Sequence, residues 1–124
     1  MRMKLAIIGS REFADYDKLK TEVLAHFSLD EIDSIISGGA SGADTLGSQF
    51  AQENNIPLIV YRAEWEKYGI TAGPRRNTLI SNEADVVIAF LSGKSKGTQN
   101  TISKAHSKGK KVIIIEDIDR RNLI

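Results

Sequence analysis

Five short apolar runs alternate along this chain with segments whose apolar residues recur at every third or fourth position. A brief run without polar alternation suits a strand covered on both faces, and the longer period suits a helix lying against a sheet. Parallel neighbours cannot be joined by a hairpin, so strict alternation of the two leads to a parallel sheet with right-handed helical crossovers.

The strands are expected at Lys4–Ile8, Ser34–Ser37, Ile56–Tyr61, Asp85–Phe90 and Lys111–Glu116. Pro57 is tolerated at a strand's start, where its missing N–H costs least. The first helical stripe runs from Asp15 to Phe27 through Tyr16, Leu19, Val23, Leu24 and Phe27, with Asp15 as N-cap. Ala43, Leu46, Gly47, Phe50 and Ala51 form the second, which ends near Asn54 and Asn55. Pro74 suits the first position of a third helix, two turns long to Ser81, whose N-terminal end carries Arg75 and Arg76. A fourth contains Ile102 and Ala105, with Gly109 as its C-cap. Arg62 to Gly73 reads as a long loop, and the charged tail Asp117 to Ile124 as short of regular structure.

The expected class is an α/β three-layer sandwich on a five-stranded parallel sheet of order 3-2-1-4-5. At 124 residues it is expected to be a single domain, 1–124. With 41% apolar and 27% charged residues, neither disorder nor a fibrous repeat is indicated. No apolar run reaches membrane-spanning length, and Met1 to Lys4 leads straight into a strand without a signal-peptide pattern, so a cytoplasmic location is expected. The absence of cysteine excludes disulfides, thiolate chemistry and cysteine metal sites. Seventeen basic against 16 acidic residues create no global field toward nucleic acid or membranes, so any anion site must be local.

In that strand order the chain reverses between the first and fourth strands, and ligands bind beyond the strands' carboxyl ends at such a point. Four strand-exit segments meet there: Gly9 to Arg11, Gly38 to Asp44, Arg62 to Gly73 and Ser92 to Thr98. Six basic residues, Arg11, Arg62, Arg75, Arg76, Lys94 and Lys96, lie in or just after them, which favours an anionic ligand over simple solvated charge. The turn Ser37-Gly38-Gly39-Ala40-Ser41-Gly42-Ala43-Asp44 admits close backbone approach and opens a helix N-terminus, although it is neither GxGxxG nor a Walker A loop. It reads as the floor of the site, with phosphate at Ser95 to Thr98 and the Arg75–Arg76 helix end.

Asp44 is favoured in a helix's first turn with no function required, and is equally placed to accept from ribose hydroxyls or an arginine. Trp65, the single tryptophan, either stacks on a base or belongs to local core. Glu64 is the best candidate for a catalytic carboxylate, a solvated loop charge being the other reading. His26 and His106 assemble no triad or metal site.

Gly9-Ser10-Arg11, Ser37 through Asp44, Glu64-Trp65, Gly73-Pro74-Arg75-Arg76-Asn77 and Ser95-Lys96-Gly97-Thr98, in that order, resemble the YspA/YpsA-related branch of the SLOG superfamily. The resemblance extends from Lys4 to Ile115. It implies a Rossmann-like domain similar to the lonely-guy phosphoribohydrolases and the DNA-processing protein DprA, and a nucleotide-derived ligand such as a nucleoside monophosphate or an ADP-ribose derivative. The residues expected at the ligand are Gly9, Ser10, Arg11, Gly38, Gly39, Ala40, Gly42, Asp44, Trp65, Gly73, Arg75, Arg76, Asn77, Ser95, Gly97 and Thr98. The lonely-guy enzymes use an arginine and the glutamate of a Pro-Gly-Gly-x-Gly-Thr-x-x-Glu motif. Arg76 matches the arginine, whereas Thr101 stands at the glutamate position.

The expectation that follows is a nucleotide-ligand binding module, acting as sensor or carrier, with no metal or cofactor. The alternative is an N-glycosidase, phosphoribohydrolase or deoxyribosyltransferase-like enzyme in which Glu64 or Asp44, with Arg76, replaces the missing glutamate. Single-stranded DNA binding by analogy with DprA is the third reading, for which balanced charge and one tryptophan offer little. Relatives of this superfamily often dimerise, so a homodimer is expected.

Overall fold

Strands β1 (Met3–Gly9), β2 (Ile32–Ser37), β3 (Leu58–Val60), β4 (Val86–Leu91) and β5 (Lys111–Glu116) form one sheet, every neighbouring pair parallel, in the order β3-β2-β1-β4-β5. The computed structural model describes residues 2–93 and 95–116; Lys94 and the tail from Asp117 to Ile124, both read above, lie outside the described residues.

Side chains alternate across a strand, so each apolar run feeds two cores. Leu5, Ile7, Ile35, Ile88 and Phe90 face α1 (Tyr16–His26) and α2 (Ala43–Glu53), where Leu19, Val23 and Phe50 cover them. Ala6, Ile8, Ile36, Val87 and Ala89 face α4 (Ala72–Glu83) and α5 (Lys96–Ser107) through Ile80, Ile102 and Ala105. The result is a Rossmann-like three-layer sandwich. Each fully buried Leu, Ile or Phe contributes about 1.5–3 kcal/mol, so the central strands account for most of the apolar stabilisation.

Asp15 caps α1, its carboxylate accepting from Lys18 N at 3.0 Å. Leu24, placed by spacing in the buried stripe, is 42% exposed, because it follows Val23 and is rotated about 100° away from that face.

Three segments differ from expectation. β3 has three residues instead of six, since Ile56 N donates to Ala51 O in closing α2 and Pro57 has no N–H to offer. Arg62 to Gly73 is mostly helical: α3 (Trp65–Tyr68) and a 3-10 turn (Gly69–Thr71) lead directly into α4. Helix α4 starts at Ala72, which makes Pro74 its third residue, where no intrahelical acceptor is lost. Arg75 and Arg76 therefore sit past its first turn. Among the described residues no helix is long and apolar enough to cross a membrane.

Candidate functional site

Beyond the carboxyl end of β1, beside its neighbour β4, lies a cleft of about 270 Å³ between the Ala40–Asp44 turn, α4 and the start of α5. Ser10 holds its rim together. Fully buried, it donates its N–H to Phe90 O (2.9 Å), accepts Ala43 N on its carbonyl (3.2 Å) and accepts Ser92 N on Oγ (3.0 Å). One residue thus joins the exits of two strands to the start of α2. Gly42 fits against it with φ +75°, and a Cβ there would stand 2.3 Å from Ser10 O. Phe13 is buried with its ring centroid 5.2 Å from that of Phe90, which anchors the segment carrying Arg11 and Glu12.

One wall is built by Asp44 and Arg76, which converge over Gly38. Asp44 is only 6% exposed and its Oδ2 accepts Ala40 N at 3.2 Å. Burial pushes its carboxyl up to about 6, against the opposing pull of Ala40 N–H, Arg76, the Gly38 backbone and Arg11. Arg76 donates from Nη1 to Gly38 O (2.6 Å) and from Nε to Asn77 Oδ1 (2.9 Å). Burial lowers its pKa, with the Asp44 charge opposing. A Cβ on Gly38 would lie 2.8 Å from both Arg76 Nη1 and Asp44 Oδ2, so glycine is what lets these two groups converge.

The opposite wall is the start of α5. Ser95 caps it, Oγ accepting Thr98 N (3.4 Å) and donating to Thr98 Oγ1 (2.8 Å). Asn77 Nδ2 donates to Gly97 O (3.2 Å) and Asn100 Oδ1 (3.1 Å), fixing α4 to α5. The N–H groups of Lys96 and Gly97, which a helix leaves unpaired at its start, belong to this wall.

The cleft brings together Gly9, Arg11, Ala40, Asp44, Arg76, Asn77, Ser95, Gly97 and Thr98. Gly38, Gly39 and Trp65 line an adjoining cavity, and Gly73 lies close to Cη2 of the Trp65 ring. Ser10 and Gly42 are behind the rim, where they position the wall without lining it. Arg75 is elsewhere: it stacks over the Tyr68 ring (4.2 Å to centroid) and donates from Nε to Thr71 Oγ1. Glu64, at the start of α3, borders a separate outer depression that it shares with Tyr68 and Arg75, not the cleft with Asp44. Lys96, one of the six basic residues expected near the ligand, also lines the cleft, whereas sequence reasoning did not single out Ile8, Glu12, Ile80 or Thr101 as lining residues. For Thr101 a signal existed, one helical turn after Gly97; its Oγ1 donates to Gly97 O.

Fold and cleft together define a Rossmann-like α/β protein with its crevice at the switch between β1 and β4. The chain belongs to the YspA, cpYpsA-related SLOG family, whose profile matches residues 3–68, more than half of its length. It is 37% identical to the Gene 61 protein of Mycobacterium phage D29, an alignment covering 92% of this chain and 97% of that protein. It is also similar in fold to DNA processing protein A (DprA) from Streptococcus pneumoniae, with a TM-score of 0.75 at 22% identity. That match covers 94% of this chain and 51% of DprA, so the chain spans about half of that protein. Family membership points to a nucleotide-related function.

Proposed function

We propose that the cleft binds a nucleotide or nucleotide-derived ligand and that the protein acts as a sensor, carrier or binding module. The observation that carries this reading is the opposition of two walls. The unpaired N–H groups at the start of α5 on one wall and the Arg76 guanidinium on the other face the same space, which suits a phosphate. Beside Arg76, the buried Asp44 carboxyl, fixed by Ala40 N–H, suits the hydroxyls of a sugar. Calorimetric titration with nucleoside mono- and diphosphates, ADP-ribose and cyclic nucleotides tests it. Micromolar binding of at least one class is expected, lost in Arg76→Ala; silence from all of them overturns the reading.

A second reading, N-glycosidic cleavage, is favoured by one observation. Asp44 is a carboxyl whose burial holds part of its population protonated near pH 6, as a general acid requires. Glu64 is outside the cleft and Thr101 offers a hydroxyl; of the two carboxyls that line the cleft, Glu12 is exposed and Asp44 is buried, which favours Asp44 for the task. Release of free base from a bound nucleotide, abolished in Asp44→Asn, is the outcome that reading requires.

A further inference from the structure

We infer that the ligand is two-headed, two nucleosides joined through a phosphate linkage, with the second base against Trp65. The inference rests on the nucleotide reading above and specifies its ligand class.

The main cleft, at about 270 Å³, is just below the range of about 300–1,000 Å³ usual for small-molecule sites. It does not end there. A second cavity of about 380 Å³ adjoins it, and Arg11, Ala40 and Arg76 line both. The septum between the lobes is therefore cationic, and Arg11 and Arg76 stand close enough for their charges to oppose each other. A phosphate linkage passing between them would relieve that repulsion while accepting their hydrogen bonds.

The far lobe is furnished differently. Arg62 lies against Gly39, where a Cβ would come within 3.2 Å of its Cγ and Nη1. Trp65 is 54% exposed, and the tip of its ring comes close to Gly73, where a Cβ would stand 3.3 Å from Cη2. A large aromatic, more than half exposed in the same cavity as an arginine, suits a planar group. Among the described residues no aromatic lines the main cleft; its apolar surface is the aliphatic Ile8 and Ile80 beside Ala40, against which the first base would lie. One lobe thus offers sugar and phosphate contacts, the other an aromatic surface, and the arginines bridge them.

The test is calorimetry on the full chain with AMP, GMP, their two-headed counterparts diadenosine and diguanosine diphosphate, and a single-stranded DNA of about ten nucleotides. A two-headed probe is expected to bind at least about tenfold more tightly than its mononucleotide. Trp65→Ala should collapse that ratio to about one, and Arg62→Ala should reduce it severalfold, whereas a merely structural Trp65 would lower both affinities in parallel. Equal affinity for one- and two-headed probes, or parallel losses, overturns the inference and leaves the nucleotide reading intact. Tighter binding of the DNA strand than of either two-headed probe overturns it in favour of a polymer. Absence of binding by every probe fails both.

Discussion

Arg76 on α4 donates from Nη1 to the carbonyl of Gly38, 2.6 Å away on the turn that follows β2. The bond ties a helix on one face of the sheet to the glycine turn leading to the other, so the guanidinium is aimed before any ligand arrives. Its Nε is also occupied, by Asn77. Among the described residues Nη2 has no protein hydrogen-bond partner, which leaves it to meet an anion.

Arg76→Ala is expected to weaken nucleotide binding by about a hundredfold and stability by about 1–2 kcal/mol. Arg76→Lys should recover the charge but not the fork, and so restore only part of the affinity. Titration calorimetry and urea denaturation on the same preparations separate the two effects.

Gly38→Ala and Gly42→Ala are expected to fail in different ways. At Gly38 the new methyl meets the ends of Arg76 and Asp44, which can swing aside. The fold should survive within about 1.5 kcal/mol while ligand affinity falls about tenfold or more. At Gly42 φ is +75° and the methyl would press on the Ser10 and Arg11 carbonyls, so a loss of about 3 kcal/mol or more is expected. Thermal melts of the two variants should rank in that order.

Stability should fall as pH rises through the titration of Asp44. Its carboxyl has an ordinary value of 3.8 and is pushed up to about 6 in the fold, mainly by burial. The native state thus prefers the protonated form. The contribution is fully present below about pH 4, declines between 4 and 6 and is absent above, a change on the order of 2–3 kcal/mol. Asp44→Asn keeps an oxygen for Ala40 N and should remove this slope, gaining stability at pH 7.5 but little at pH 4.5. Urea midpoints at those two pH values decide it.

Asn77→Asp should destabilise at least as much as Asn77→Ala, by about 2 kcal/mol. Nδ2 donates to two oxygens, Gly97 O and Asn100 Oδ1, and a carboxylate would present acceptor against acceptor. Urea denaturation at pH 7.5 checks the ranking; a milder Asp variant would show that the bridge between α4 and α5 contributes little.

Much of the sheet was legible because local and global signals agree. Leu5 to Ile8, Ile35-Ile36 and Val86 to Phe90 are too apolar for anything but doubly covered strands, and right-handed crossovers leave few orders for five of them. The end of β3 was less legible, because Ile56 looks like strand but is used in closing α2. Helix α3 was not legible at all: four residues, Trp65 to Tyr68, are too few to display a period. In the cleft, Ile8 and Ile80 carry no sign of lining a wall, since an aliphatic side chain facing a cavity and one facing the core are the same residue type.

The alternation of apolar runs is enough to order the strands and to bring their glycine- and arginine-bearing exits to one edge, because side-chain period and crossover handedness are local properties of the chain. Which charges meet there was settled by packing alone. Arg75 and Arg76 are neighbours of identical chemistry, but one residue along a helix is a rotation of about 100°. Helix α4, placed by Ile80 and Ala84 against the sheet, turns Arg76 to Gly38 and Asp44 and leaves Arg75 on Tyr68.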